Sequence, residues 1–431
     1  MDRIKILPAK GLNGEIKVPG DKSVSHRALI LGSIAEGETR VEGLLEGADT
    51  IATISAFRAM GVGFEKTGDT LIISGMGLSG LREPEDVIDA RNSGTTARLL
   101  TGLLSGQNFF SVITGDASLR KRPMRRVVEP LQSMGASIFG RKDSSRLPLA
   151  ISPRTLTGIS YRTPVASAQL KSAILLAGLY ASGSTSVTES EKSRDHTERM
   201  LPLFGAEVKI EGNTVTINRA RELSAATITV PGDISSAAFL MVGAVITPES
   251  HIVIRDVGVN PTRTGIIRIL ERMGAKVELL NKKTVSGEPV ADISVKSSPL
   301  NGVLIKGEEL LAAIDEFPVI CVAAALSKGR TIISGAAELR VKESDRISAM
   351  ADALKNLGVS CTEKEDGLVI DGIEKGTFKS ASIDCRGDHR VAMSLAVAAL
   401  RSEEGIEVKG AKAVDVSFPG FFTILEKACR R

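Results

Sequence analysis

The chain has 431 residues, 42% of them apolar, which is too long for one ordinary domain, so we expect two domains with separate cores. Lys and Arg together (55) barely outnumber Asp and Glu (51), and the formal net charge of +4 excludes a broad polyanion-binding coat. Any anion site must therefore come from local clusters of cations. The four cysteines lie far apart without a C-x-x-C pair, which argues against a zinc site or a disulfide framework and favours a reducing compartment.

The N-terminal segment has no continuous apolar run, and no stretch of the chain reaches the roughly 18 apolar residues of a membrane-spanning helix. We therefore expect a cytoplasmic protein without membrane contact. A strand is predicted directly before the segment Val18–Asp21 (VPGD), and the same tetrapeptide returns after a second predicted strand as Val230–Asp233. This repetition indicates that the chain consists of two similar halves.

A shorter pattern recurs within these halves: an apolar helical segment ends in Met, Leu or Phe, then Gly, then Ala or Val, and a strand follows. The glycines of this pattern are Gly61, Gly135, Gly205, Gly274 and Gly358. Their spacing is longer than the period of solenoid repeats, so each copy should be a compact subdomain. A glycine just after the last helical turn is what a left-handed helix cap requires.

The order of elements within each copy is also shared. Residues 251–257 and 329–335 contain runs of β-branched residues and predict strands, and residues 344–358 after a polar loop predict a helix. Further helices are predicted at 95–104 and 169–180. This order predicts a βαβαββ unit.

Each VPGD segment should mark a crossing of the chain between two domains of three units each. The expected domains are residues 1–19 with 232–431, and residues 20–231. The sixth copy ends in the helix of PGFFTILEKAC near the C-terminus, where the chain stops before the strands that should follow. We expect residues 1–19 to supply the missing strand.

One glycine pattern is a decoy. Gly75, Gly77 and Gly80 match the dinucleotide fingerprint, but Pro84 follows early and the glycines open no predicted helix. We interpret this stretch as a glycine-rich turn and expect no nicotinamide or flavin. The four histidines show no H-x-x-x-H spacing, so no metal site is expected either.

Basic and small polar residues concentrate in the loops just before predicted helices, at residues 21–27, 92–98, 119–124, 193–196, 342–346 and 387–390. Helix N-termini offer unpaired N–H groups and partial positive charge, so several such ends facing one cleft would bind a multiply anionic ligand. A single loop of this kind is more often an ordinary helix cap. Six loops in register with a repeat favour a functional site.

Two acidic segments stand out among these cations, one around Asp315 and one around Glu343. The pKa of a carboxyl group rises near bound anions and falls near cations, so such a site can hold one base and one acid near neutral pH. A plain helix N-cap is the alternative interpretation of Asp315.

The segments PGDKSVSHRALILG, NSGTTARLL, LRKRPM, SAQLKSAIL, SRDHTERM, IDEFPV, KESDRI and DHRVAM occur in the order seen in 5-enolpyruvylshikimate-3-phosphate synthases, and the resemblance spans nearly the whole chain. The resemblance implies an α/β enolpyruvyl transferase fold of two domains, each with three βαβαββ repeats around a pseudo-threefold axis, and an active site in the cleft between them. It also implies transfer of the enolpyruvyl group of phosphoenolpyruvate to shikimate 3-phosphate by addition and elimination, without a cofactor or metal. We expect a monomer.

The resemblance assigns site residues one by one. The expected shikimate 3-phosphate contacts are Lys22, Ser23, Arg27, Ser167, Ala168, Gln169, Arg194, Asp315 and Lys342. The expected phosphoenolpyruvate contacts are Lys22, Gly94, Arg122, Gln169, Arg346 and Arg390, where planar guanidinium groups suit carboxylate and phosphate oxygens. Asp315 would take the proton from the substrate 5-hydroxyl, and Glu343, with Lys22, would protonate the methylene carbon.

The chain departs from the family pattern near its C-terminus. Many members carry a lysine two residues before the C-terminal Phe-Pro, whereas here Val416 and Ser417 precede Phe418-Pro419, and Lys412 is the nearest lysine upstream. This pattern resembles the divergent second class of the family and leaves open which basic group completes the pocket. Gly94, where some tolerant members carry alanine, implies sensitivity to glyphosate.

Two other functions compete with this interpretation. The related enolpyruvyl transferase that acts on UDP-N-acetylglucosamine usually carries a reactive cysteine in the loop corresponding to LRKRPM, and no cysteine occurs there. A nucleic-acid-binding protein would need a broad basic face and aromatic stacking platforms, but the chain has two tyrosines and no tryptophan.

Overall fold

The computed structural model describes residues 2–373 and 375–430, which form two compact units. We call Gly20–Val230 with Val285–Glu288 the inserted unit, and Met1–Pro19, Pro231–Thr284 and Pro289–Arg431 the discontinuous unit. The chain passes between them within each VPGD segment. Among the described residues, no helix combines the length and the apolar character needed to cross a membrane.

The inserted unit contains subdomains 1 to 3, each built on a four-stranded sheet. Subdomain 1 has strands Glu36–Glu42, Gly63–Thr67, Thr70–Met76 and Thr227–Thr229 and helices Lys22–Ser33 and Ala48–Ala59. Subdomain 2 has strands Ile88–Asp89, Ser111–Thr114, Ser137–Gly140 and Arg146–Ser152, helices Gly94–Leu104 and Arg125–Ser133, the 3-10 helix Leu119–Lys121 and the four-residue turn Arg141–Ser144. Subdomain 3 has strands Ser160–Arg162, Thr185–Thr188, Val208–Glu211 and Thr214–Ile217, helices Ala168–Gly178 and His196–Met200, and the 3-10 helix Leu201–Phe204.

The discontinuous unit contains subdomains 4 to 6. Subdomain 4 has strands Gly11–Lys17, His251–Gly258, Lys276–Val285, Glu288–Lys296 and Cys429–Arg430 and helices Ile234–Ile246 and Gly265–Met273. Subdomain 5 has strands Leu304–Ile305, Arg330–Ile333, Cys361–Lys364 and Gly367–Asp371, helices Gly307–Leu311, Phe317–Ala325 and Arg346–Asn356, and 3-10 helices Ile314–Glu316 and Ala337–Val341. Subdomain 6 has strands Arg3–Ile6, Ala381–Asp384 and Ile406–Lys409, helices His389–Ala399 and Phe421–Ala428, and the 3-10 helix Ala411–Val416.

The predicted βαβαββ order is confirmed most directly in subdomains 2, 3 and 5. In subdomain 2 the first two strands are parallel, with Ile88 opposite Ile113, and a helix connects them. The last two strands form an antiparallel hairpin, with Ile138 opposite Ile151. A parallel pair needs such a crossover connection, whereas the hairpin needs only a short turn.

Subdomains 1 and 4 take their first strand from a distant part of the sequence. Thr227–Thr229 pairs in parallel with Glu36–Glu42, and Gly11–Lys17 pairs in parallel with His251–Gly258. Both distant strands stand directly before a VPGD segment. The strand that precedes each chain crossing therefore completes a sheet whose other strands lie elsewhere in the sequence.

The N-terminus also completes subdomain 6, as predicted. Arg3–Ile6 pairs antiparallel with Ile406–Lys409. The prediction was too broad in one respect, because Gly11–Lys17 belongs to subdomain 4 instead. The C-terminal helix is also followed by a short strand, Cys429–Arg430, whose partner is again the N-terminal segment at Gly11 and Leu12.

The hairpin tip Val285–Glu288 belongs to the inserted unit, although the sequence placed all of 232–431 in one domain. The hydroxyl of Ser286 accepts a hydrogen bond from the backbone N–H of Thr229 at 2.9 Å. The carbonyl of Gly287 accepts one from Arg199 at 3.3 Å. These bonds are long-range in sequence, so the alternation of apolar residues could not predict them.

The five glycines of the repeated helix ending have the predicted left-handed backbone. Their φ angles are 93°, 97°, 86°, 102° and 84° at Gly61, Gly135, Gly205, Gly274 and Gly358. The decoy glycines open no helix, since strand Thr70–Met76 ends among them and the next helix starts at Gly94. The glycines of the helix endings therefore have the predicted left-handed conformation, and the decoy glycines lie outside any helix, as predicted.

Three helices form the centre of the discontinuous unit. Every residue of Ile234–Ile246, Phe317–Ala325 and His389–Ala399 is buried, and each of these helices packs against the other two. Apolar residues on all sides suit helices that have no solvent-facing side. Most polar side chains of these helices lie near the helix starts; Ser394 is an exception, and its hydroxyl donates to the carbonyl of Arg390 at 2.7 Å. The loops at the helix starts carry predicted site residues.

Candidate active site

Lys22 is the first residue of helix Lys22–Ser33 in the inserted unit. The helix begins where Asp21 accepts a hydrogen bond from the backbone N–H of Val24, a regular N-cap. The ammonium group of Lys22 lies 3.1 Å from a carboxylate oxygen of Asp49, and its side chain remains partly exposed. Lys22 is thus anchored at the start of a helix and can still reach an anion.

Arg27 lies one turn further along this helix and is buried. Its Nε donates to the hydroxyl of Thr197 at 2.6 Å, and Nη2 donates to the hydroxyl of Ser172 at 2.7 Å. Nη1 donates to the carbonyl of Ser23 at 2.9 Å. Burial lowers the pKa of Arg27 to about 10, and nearby Arg194 adds to this effect. The charges of two predicted phosphate contacts, Arg27 and Arg194, therefore influence one another.

A buried ion triad lies next to Arg27. Lys171 is 2.6 Å from Glu189 and 2.7 Å from Glu198, and all three side chains are nearly inaccessible to solvent. Although burial alone would lower the pKa of Lys171, the two glutamates raise it. The carboxylate of Glu198 also offsets part of the burial effect on Arg27. Sequence reasoning did not single out the triad, whose members are far apart in the chain.

Gly94, Arg98 and Gln169 form a second group in the inserted unit. Nη1 of Arg98 donates to the side-chain oxygen of Gln169 at 2.9 Å, and the amide of Gln169 donates to Thr95 at 3.0 Å. A β-carbon on Gly94 would lie 2.6 Å from Nη1 of Arg98. Alanine at position 94 would therefore displace the Arg98 guanidinium. Arg98 lies within the motif NSGTTARLL, but the sequence alone assigned it no role.

The remaining predicted residues of this unit lie at helix starts or beside this second group. Nη2 of Arg122 donates to the side-chain oxygen of Asn92 at 2.7 Å. Ser167 is the N-cap of helix Ala168–Gly178, because its hydroxyl accepts from the N–H of Leu170 at 3.4 Å. The hydroxyl of Ser167 therefore stabilises the helix that presents Ala168 and Gln169.

Arg346 contacts three acidic residues of the discontinuous unit. This buried guanidinium lies 2.8 Å from Asp388 through Nε, 3.3 Å from Asp315 through Nη1 and 2.6 Å from Glu343 through Nη2. Although burial alone would lower it, these three carboxylates raise the pKa of Arg346. Although burial alone would raise it, the charge and hydrogen bond of Arg346, together with His389, hold the pKa of Asp388 below its ordinary value.

Arg390 contacts the same group from the start of helix His389–Ala399. Its Nη1 donates to the carbonyl of Asp315 at 3.0 Å, and its Nη2 lies 3.7 Å from the carboxylate of that residue. Asp315 sits in the 3-10 helix Ile314–Glu316 and caps no helix with its side chain. The alternative N-cap interpretation of Asp315 is therefore wrong.

Lys342 precedes this cluster in sequence, and charged residues of the cluster affect its pKa. Burial lowers its pKa, with Arg346 adding to the effect and Glu338, Asp315 and Glu343 opposing it. Its ammonium group lies 3.7 Å from Glu338. Lys412 is exposed in the 3-10 helix Ala411–Val416.

Asp388 is a buried contact of Arg346 that sequence reasoning did not single out in this unit. Its Oδ1 accepts from the backbone N–H of Arg390 at 2.9 Å, and the hydroxyl of Ser344 donates to its Oδ2 at 3.1 Å. Asp388 thereby fixes both Arg346 and the start of the helix that carries Arg390. Its place in the motif DHRVAM was visible, but a cap and an orienting carboxylate look alike in sequence. Within the described part of the chain, no group of three or more His, Cys, Asp or Glu side chains is placed to hold a metal ion.

Comparison with solved structures defines the class of this fold. The enolpyruvyl transferase NikO from Streptomyces tendae has the same fold, with a TM-score of 0.77 over 98% of this chain and 96% of that one at 16% identity. The EPSP synthase of Acinetobacter baumannii is more similar, with a TM-score of 0.89 and 49% identity over 99% of this chain and 98% of that one. The fold is that of the enolpyruvyl transferases.

The family follows from sequence. The profile of the family EPSP synthase (3-phosphoshikimate 1-carboxyvinyltransferase) matches residues 6–425. A 3-phosphoshikimate 1-carboxyvinyltransferase from Geobacter metallireducens is 57% identical over 431 residues, covering 100% of both chains. The enzyme of the same name from Geobacter sulfurreducens is 56% identical over 424 residues, 98% of both chains. The chain belongs to the EPSP synthase family.

Proposed function

We propose that the protein transfers the enolpyruvyl group of phosphoenolpyruvate to the 5-hydroxyl of shikimate 3-phosphate, releasing phosphate. Family membership over the full length supports this activity. Within the structure, the observation that carries the proposal is the position of Asp315 and Glu343 on two nitrogen atoms of buried Arg346. Two carboxylates beside fixed cations are what proton transfer at an anionic substrate pair requires.

We assign the substrate contacts by charge. In the inserted unit, Lys22, Arg27 and Arg194 would hold shikimate 3-phosphate, helped by Ser23, Ser167, Ala168 and Gln169 at helix starts. Arg122, Gly94 and Gln169 of the inserted unit and Arg346 and Arg390 of the discontinuous unit would hold phosphoenolpyruvate, with Lys22 reaching both substrates and Lys342 contacting the shikimate. Guanidinium groups with fixed orientation suit carboxylate and phosphate oxygens, which supports this division.

The proposed chemistry balances in two steps. In the addition, the methylene carbon gains a proton from Glu343, assisted by Lys22, while the 5-hydroxyl oxygen attacks the adjacent carbon and gives its proton to Asp315. In the elimination, Glu343 takes back a proton from the new methyl group, which restores the carbon–carbon double bond, and phosphate leaves with the proton that Asp315 had accepted. Cations already held by carboxylates need little reorganisation when charge develops, so they favour the transition state.

Phosphate release tests this activity. Purified protein is mixed with phosphoenolpyruvate and shikimate 3-phosphate, each substrate is omitted in turn, and a parallel sample contains a chelator. We expect release that requires both substrates and continues in the chelator. Folded protein that releases phosphate only when UDP-N-acetylglucosamine replaces shikimate 3-phosphate would contradict the proposal in favour of the cell-wall reaction.

We also propose a cytoplasmic monomer. The four cysteines lie far apart in the sequence without a C-x-x-C pair, which supports a reducing compartment. Light scattering during size-exclusion chromatography measures the mass, and a value near 45.5 kDa is expected. A doubled mass that persists on dilution would contradict the monomer.

A further inference from the structure

A cavity of about 450 Å³ in the inserted unit is lined almost entirely by cations. Its lining residues, which we call the cationic pocket, are Ala117, Arg120, Lys121, Arg141, Lys142 and Arg146. Ala117 precedes the 3-10 helix Leu119–Lys121, which contains Arg120 and Lys121, and the other three belong to the turn Arg141–Ser144 and the strand that follows it. None of the six belongs to the proposed substrate contacts.

The charge of the cationic pocket is not neutralised by its surroundings. Among residues 2–373 and 375–430, none of its five cationic side chains forms an ion pair with a carboxylate. The two acidic residues nearest to the pocket residues in sequence, Asp116 and Asp143, contact residues outside the pocket. Asp116 accepts from Asn92 at 2.6 Å and from the N–H of Leu119 at 2.7 Å, and Asp143 lies 3.8 Å from Arg125. Five like charges around one cavity repel one another, and a bound polyanion would relieve that repulsion.

The backbone beside the pocket is strained. Lys142, Asp143 and Ser144 have φ angles of 49°, 54° and 56°, so three consecutive residues other than glycine adopt the left-handed conformation. Each such residue costs energy, and runs of them are rare. Strain of this kind is maintained mainly where geometry serves a site. Here the strained turn places Arg141 and Lys142 at the cavity.

We propose that the cationic pocket binds a small molecule bearing a diphosphate group, at a site separate from the one that binds phosphoenolpyruvate. A diphosphate carries enough negative charge to engage most of the five cations, and the cavity exceeds the size of a single phosphate. Three of the cations are arginines, whose paired N–H donors match phosphate oxygens. Arg122 follows the pocket residue Lys121 directly in sequence, but its side chain is bound to Asn92.

Isothermal titration with inorganic pyrophosphate tests the pocket without relying on catalysis. The pocket variant combines Arg141→Ser with Lys142→Asn, because asparagine tolerates the left-handed backbone. The control combines Arg154→Ser with Arg162→Ser, two exposed cations of the same unit; Arg154 lies beyond the far end of the strand that starts at Arg146. We expect binding to weaken at least tenfold in the pocket variant and to stay unchanged in the control.

Arg122→Gln separates the two anion sites. We expect pyrophosphate binding to survive this change, because Arg122 is not part of the cationic pocket. Binding that is lost in Arg122→Gln places pyrophosphate in the substrate site and overturns the proposal. Equal weakening in the pocket variant and its control, no binding by the wild type, or binding of DNA oligonucleotides alone overturns it as well. Circular dichroism and urea unfolding of every variant establish that the loss is not a loss of fold.

Discussion

Arg346 is a buried cation that contacts three carboxylates, and these carboxylates differ in their exposure to solvent. Asp315 keeps one oxygen 3.3 Å from Arg346, yet its side chain is 17% exposed, so a substrate hydroxyl can reach it. Asp388, by contrast, is fully buried. Among the carboxylates that contact Arg346, only a partly exposed one can exchange a proton with a ligand.

Replacing Asp315 with asparagine therefore tests its role. Asp315→Asn preserves the shape of the side chain but removes the proposed base, so we expect kcat to fall about 10² to 10⁴-fold with little change in KM. Asp352→Asn, an exposed carboxylate paired with Arg386 at 2.6 Å, is the matched control and should keep wild-type kcat. Equal kcat for Asp315→Asn and wild type would remove Asp315 from the mechanism.

His26 provides a prediction about pH. Burial lowers its pKa to about 3, from an ordinary value of 6.5. Its Nδ1 is bonded to the hydroxyl of Thr53 at 2.8 Å, and its Nε2 has no hydrogen-bond partner in the described part of the chain. The unfolded chain therefore binds a proton at this side chain between about pH 6.5 and 3 while the folded protein does not. Stability must fall as the pH falls through that window, by about 1.4 kcal/mol per pH unit.

Urea unfolding at a series of pH values measures this effect. The variant His26→Gln lacks the titrating group, so we expect its free energy of unfolding to fall less steeply than that of the wild type between pH 6 and 4. His251→Gln, at an exposed histidine, should follow the wild-type slope. Parallel curves for His26→Gln and wild type would mean that burial does not keep His26 neutral.

At the scale of elements, one of the repeated helix endings, at Gly205, depends on glycine for its backbone conformation alone. Gly205 ends the 3-10 helix Leu201–Phe204 at φ 86°, and a β-carbon there would meet nothing within 4 Å. Gly205→Ala should therefore lower the free energy of unfolding by about 1–2 kcal/mol through backbone strain. Gly205→Asn should lose less, because asparagine tolerates this conformation. Denaturant unfolding measures both, and an alanine variant as stable as wild type would contradict the strain.

Element types were easier to predict than element ends. The helix predicted at 344–358 is Arg346–Asn356, because Asp345 is its N-cap and accepts from Ser348. Ser344 instead donates to Asp388, a contact 44 residues away. Local patterns reveal helices and their glycine caps, whereas the exact start depends on partners that only the folded chain brings close.

At the scale of the whole molecule, the repeats and the VPGD segments reveal three units in each half, but not which sheet each distant strand joins. The sequence assigned residues 1–19 to one subdomain, and the structure divides them between two. The site shows the same limit. The motifs predicted which charged residues belong to the site. The hydrogen bonds from Arg98 to Gln169 and from Arg346 to Asp388 depend on packing between subdomains, which the motifs do not reveal.

Removing residues 2–8 tests whether the N-terminal strand stabilises subdomain 6. Arg3–Ile6 is a strand of subdomain 6, where it pairs with Ile406–Lys409, and the carbonyl of Asp2 accepts from the N–H of Gly410 at 2.7 Å. Each backbone hydrogen bond contributes about 0.5–1.5 kcal/mol, so we expect the truncation to lower the free energy of unfolding by about 2–4 kcal/mol.

The control for this truncation keeps the strand and removes its charge. Arg3→Gln with Lys5→Gln changes two exposed side chains and should unfold like the wild type. Urea unfolding and hydrogen exchange at Ile406–Lys409 are measured on both proteins. Because an unpaired strand edge exchanges its amide hydrogens readily, loss of protection there, in the truncated protein alone, is the expected result. A truncated protein with full protection and unchanged stability would show that subdomain 6 is complete without the N-terminal strand.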